Sequence, residues 1–136
     1  MANDLTLQVL HDGDRNAVVK LVIEGDASGD ESATTIVDIS NDLVMGPRSE
    51  VKVQRVTSIL GGFTANLLWD ADADVAMLAL PADSFDACFR DIGGLRNNAG
   101  DGKTGDIKLT TVGLGAEVGT ILLHLAKVEG ASPIGG

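Results

Sequence analysis

The chain reads as an all-β protein, a single-domain β-sandwich or jelly-roll-like fold of about nine short antiparallel strands. Three observations predict it. Apolar residues recur at every second position through most of the chain. Clusters of Gly, Asp and Asn punctuate these segments at short intervals. No stretch carries a 3.6-residue apolar period long enough for a substantial helix.

Leu5 to Leu10 sets Leu5, Leu7 and Val9 on one face, with Thr6 and Gln8 on the other. Ala17 to Glu24 turns Val19, Leu21 and Ile23 one way and Val18, Lys20, Val22 and Glu24 the other. H-D-G-D between them supplies turn chemistry, so the two segments form a hairpin with His11 at its turn. Gly25 to Ser32 is a solvated loop by composition, and the β-branched run Thr34 to Ile39 is a third strand. Asn41 to Ser49, with Gly46-Pro47, reads as a connection holding one helical turn at Asp42 to Met45. Glu50 to Leu60 alternates, placing Val51, Val53, Arg55, Thr57 and Ile59 opposite Lys52, Gln54, Val56, Ser58 and Leu60. Gly61-Gly62 then makes a tight turn and Phe63 to Trp69 returns. Val75 to Leu80, Phe85 to Asp91, Asp106 to Val112 and Gly119 to Val128 complete the set. No repeat or linker divides the chain, so residues 1–130 form one domain and 131–136 a tail that frays unless a partner orders it.

Composition narrows the function classes. A chain of 136 residues buries roughly two-thirds of its unfolded surface without staples. Cys88, the only cysteine, cannot close an internal disulfide and is expected as a small core residue. Twenty acidic against ten basic residues give a formal charge of −10, which repels nucleic acid and anionic membranes. Three Phe, one Trp and no Tyr leave a core of Val, Leu, Ile and Ala and little surface for stacking on bases or sugars. The longest apolar run, Val75 to Ala82, falls far short of a bilayer span, and the first residues lack the pattern of a signal peptide. The expectation is synthesis in the cytoplasm.

Two motifs invite chemistry and fail its tests. Asp70, Asp72 and Asp74 in D-A-D-A-D have the opening spacing of a calcium loop. The glycine required at position six is Val75, and the glutamate required at position twelve is Pro81. The three remain weak candidates for a cation, with no metal or cofactor expected. Gly102-Lys103-Thr104 resembles the end of a phosphate loop, but Asn97 stands where the first glycine belongs and a strand pattern follows in place of a helix. Gly93 to Gly105 is then a long flexible connection. His11 and His124 have no partner nearby in sequence, and His124 interrupts an apolar strand as a partly buried or interface residue. The chain is not expected to be an enzyme.

The ordered segments G-G-F-T-A-N-L-L-W-D-A-D-A-D-V, F-R-D-I-G-G-L-R-N-N-A-G, K-T-G-D-I-K-L-T-T-V-G and V-G-T-I-L-L-H-L-A-K resemble small structural proteins of tailed bacteriophages, over about Val51 to Lys127. The resemblance implies a head decoration or cement protein on the virion exterior, made in the host cytoplasm. Such a protein binds the outer lattice of the major capsid protein and clamps its neighbours. It implies no catalytic residues. Sandwich edges can be covered by identical copies, so a homotrimer at local threefold points is expected, with a homodimer as the alternative. Arg48, Arg90, Arg96 and Lys103, basic positions in or near loops of an acidic chain, are the candidates for capsid contact. Three rivals stand beside this reading: a tail or neck component, a carbohydrate-binding sandwich, and a hydrolase built on His11 and His124.

Overall fold

A computed structural model describes residues 3–46 and 48–128. The tail expected at 131–136 lies outside the described residues. Nine strands form: β1 (Asp4–Asp12), β2 (Asn16–Glu24), β3 (Thr34–Val37), β4 (Glu50–Leu60), β5 (Thr64–Trp69), β6 (Val75–Leu80), β7 (Ser84–Cys88), β8 (Ile107–Val112) and β9 (Val118–Val128). A one-turn helix, α1 (Ile39–Asp42), follows β3, and a 3-10 turn, Arg90–Ile92, follows β7. The helical turn comes earlier than the sequence suggested because Asp38, not Asn41, begins it: the Asp38 carbonyl accepts from the Asn41 and Asp42 amides.

All pairing is antiparallel, in two sheets of order β1-β2-β9-β4-β7 and β3-β8-β5-β6. With β1 set aside as an added edge strand, the two four-stranded sheets are β2-β9-β4-β7 and β3-β8-β5-β6. That is the jelly-roll order, in which successive strands alternate between sheets except for the β5–β6 hairpin. The core lies between the sheets, where Val19, Leu21, Ile23, Ile121, Leu123 and Leu125 meet Val37, Leu67, Trp69, Leu80, Ile107 and Leu109. Trp69 and Phe63 are the largest fully buried side chains, so the core is aliphatic around two aromatic centres.

Strict alternation fails in β4, and the reason is physical. A bulge at Gln54 shifts the register between Val53, opposite Leu125, and Arg55, opposite His124. The extra residue inverts parity, so that Val51 and Val53 before the bulge and Val56 and Leu60 after it all face inward. Arg55, Thr57 and Ile59 therefore face out. A second bulge, between Val9 and His11, turns His11 to the solvent at the end of β1, one residue before the turn expected to hold it. Cys88 is exposed, contrary to its reading as a core residue, because β7 is an edge strand whose even-numbered positions point outward.

The jelly-roll crossing pattern decides where the connections go. The β1–β2 turn, the α1–β4 connection, the β5–β6 turn and the β7–β8 connection gather at one end of the sandwich, where Glu50 pairs with Val128 and Trp69 with Ile107.

Candidate functional site

That loop end is bound together by charge. In β9 the inward parity of Ile121, Leu123 and Leu125 carries on to Lys127, whose side chain is fully buried. Its ammonium has three protons and donates to the Asp12 carboxylate, the Gly13 carbonyl at 2.6 Å and the Val44 carbonyl at 2.6 Å. The other Asp12 oxygen accepts from the Val44 amide at 2.9 Å. One lysine thus ties the C-terminal strand to the β1–β2 turn and to the α1–β4 connection. The bond from Lys127 holds the Asp12 carboxyl below the usual carboxylate range.

A second lysine fixes the aspartates that suggested calcium. Lys108, on the outward face of β8, reaches Asp70 at 2.7 Å and Asp74 at 3.3 Å. An ammonium therefore occupies the position between these carboxylates, and its bond, followed by that of Thr104, keeps the Asp70 carboxyl below its ordinary value. Asp72 stands apart: its amide donates to the Asp101 carbonyl at 3.0 Å, and its carboxylate lies against Gly102. Among the described residues no group of three or more His, Cys, Asp or Glu side chains is placed to hold a metal.

The β7–β8 connection is fastened to the sandwich at several points. Leu95 and Val53 exchange two backbone hydrogen bonds, Asn97 and Ala99 are buried, and Gly105 packs on Ile39 and the Ser49 carbonyl at a left-handed φ of 89°. Lys103, the lysine of the phosphate-loop motif, pairs with the buried Glu50 at 3.0 Å. Asp106 accepts from the Ile39 amide at 3.1 Å; burial raises its pKa, and the Asp38 and Asp70 carboxylates add to the rise.

Between the α1–β4 and β7–β8 connections lies an open cleft of about 480 Å³, lined by Ile39, Ser40, Met45, Gly46, Arg48, Ser49 and Thr104. A smaller cleft of about 190 Å³ adjoins it and is lined by Ser49, Glu50, Lys103, Thr104 and Gly105. Two of the four basic candidates, Arg48 and Lys103, therefore converge on one groove. Arg96 is exposed on the same connection with no ion pair among the described residues. Arg90 lies elsewhere, in the 3-10 turn beyond β7, with its guanidinium 3.8 Å from the Cys88 sulfur.

The two histidines share a face of the five-stranded sheet without meeting. His11 pairs with Val18 and Val18 with His124, which sets the histidines two strands, roughly 9–10 Å, apart. His124 sits among Arg55, Arg90 and Asp86; its partial burial, then the two guanidiniums, lowers its pKa. Arg55 forks onto Asp86 at 2.9 and 2.6 Å, and this bond, helped by Thr57, pulls the Asp86 carboxyl down to about 2.

Of these arrangements only the loop end gathers residues from both sheets into a recessed surface. The sequence signalled Arg48 and Lys103 by charge, whereas Lys108, Lys127 and Asp12 went unnoticed. The signal for Lys127 was available in its odd-numbered position, in step with Ile121, Leu123 and Leu125. Comparison with family models and with curated proteins finds no match to this chain.

Proposed function

We propose that the chain is a non-enzymatic virion structural protein, a decoration protein that seats the loop end of its jelly roll on the outer surface of a major capsid protein lattice and so stabilises the head. One observation carries the reading: four connections drawn from both sheets are fastened into a single recessed surface by Lys127, Lys108 and Lys103. A surface pre-ordered in this way loses little conformational entropy on docking, which favours binding to a rigid lattice. The jelly roll is an architecture of viral capsid and of lectin domains, and the architecture alone does not choose between them. The resemblance to tailed-phage structural proteins favours the first. The lectin reading loses support because Trp69, the only tryptophan, is 1% exposed and so cannot stack on a sugar.

The edge strand β6, V-A-M-L-A-L, carries no charge and is the place for a neighbouring copy in a homotrimer, or in a homodimer as the alternative. The test is to mix the protein with particles that lack it, pellet them and measure the bound stoichiometry. Saturable binding to heads supports the reading. Binding to tails or necks alone transfers the protein to that part of the virion, and binding to neither overturns the proposal.

A further inference from the structure

Among the described residues two arginines make ion pairs, and Arg48 differs from Arg55. Arg55 is satisfied by a two-point fork onto Asp86 at 2.9 and 2.6 Å. Arg48 makes one contact of 3.5 Å to the Asp14 carboxylate and one of 3.2 Å to the Asp14 carbonyl, both from the same nitrogen. Asp14 itself is 88% exposed, so this partner is easily replaced by water or by another anion. Nε and Nη2, with three of the five guanidinium protons, make no hydrogen bond among the described residues and stand at the edge of the 480 Å³ cleft, where Ile39 and Met45 supply apolar wall and Ser40, Ser49 and Thr104 supply hydroxyls.

We infer that this cleft is a seat for a carboxylate side chain carried on an apolar segment of the partner protein, with Arg48 exchanging Asp14 for the incoming carboxylate in a bidentate fork. The inference rests on the decoration reading for the identity of the partner and on the cleft alone for its chemistry. Charge complementarity selects the occupant. Lys103 is already neutralised by Glu50 in the adjoining cleft, so Arg48, with only the exposed Asp14 opposite it, is the cation that a single carboxylate with uncharged flanks can pair with, while a polyanion such as nucleic acid is repelled by a chain of net charge −10. Lys103 does not compete for it, being held by Glu50 at 3.0 Å.

The test uses the full chain labelled with nitrogen-15 and two blocked peptide libraries of apolar residues, one with a central Glu and one with a central Gln. The Glu library is expected to shift the Arg48 Nε–H signal and the amides of Ile39 and Met45, at least about tenfold more tightly than the Gln library. R48Q should abolish the difference, R48K should leave part of it, and D14A, which removes the internal competitor, should tighten binding by up to about fivefold. Equal binding of the two libraries, or no shift at the cleft, overturns the inference. A parallel pelleting assay separates the two claims. Wild type and R48Q binding particles equally well overturns the cleft assignment and leaves decoration standing; Glu peptides binding the cleft while wild type ignores particles overturns decoration and leaves the cleft.

Discussion

Lys127 is the residue on which the loop end depends. Its side chain is fully buried and its ammonium fully bonded, while Asp12 and Val44 lie at the surface, so truncation empties the buried lysine site and leaves Asp12 and two carbonyls to bond water instead. K127A is expected to cost about 1–3 kcal/mol in urea denaturation, the loss of one charge-assisted bond and two to carbonyls. R55A, which removes an exposed pair, should cost much less than K127A in the same assay. Asp86 offers a pH test. Its carboxyl is held at about 2 in the fold against an ordinary 3.8, so the pairing with Arg55 is fully present above the ordinary value and is lost as pH falls through about 2. The stability gap between wild type and D86N should thus be constant above pH 5 and close steadily between pH 4 and 2. A gap that does not change with pH would contradict the pairing. Reversing Lys103 to Glu would press a carboxylate against buried Glu50, so Arg96 is the clean position for a charge reversal that spares the fold.

The strands were legible in the sequence because each is a local pattern: two-residue alternation between turn residues places β2, β4, β5, β6 and β8 within a residue or so of their observed limits. The bulge in β4 was not. Gln54 looks like any outward polar residue, and only its pairing with β9 shows that parity inverts there. Cys88 was misplaced because residue type was weighed above parity: Phe85 and Ala87 take the inner positions of β7, which leaves Ser84, Asp86 and Cys88 on its outer face. The fastening of the β7–β8 connection was hidden likewise, since glycine-rich composition suggests freedom while the contacts of Leu95 and Gly105 are made with distant segments. G105A tests this element. A Cβ at that position would lie 3.1 Å from the Ser49 carbonyl and 2.6 Å from Ile39 Cδ1, at a φ of 89°. It should cost about 1–3 kcal/mol and speed amide exchange in 93–105 and in the α1–β4 connection, with the β2–β9 pairing unaffected.

At the scale of the molecule, the sequence carried the sandwich but not the grouping of its loops, because which connections share an end follows from the jelly-roll crossing order. Once that order is in place, the motifs that imitated calcium and phosphate sites become parts of one bound surface: Lys108 joins Asp70 and Asp74, and Lys103 joins Glu50. On the decoration proposal, this end faces a capsid lattice. Electron cryomicroscopy of particles saturated with the protein tests it most directly. The expected result is density on the outer shell in which the β1–β2 turn, the α1–β4 connection, the β5–β6 turn and the β7–β8 connection point toward the capsid; density that touches the shell through the opposite end, or none on heads that are otherwise intact, would overturn the proposal.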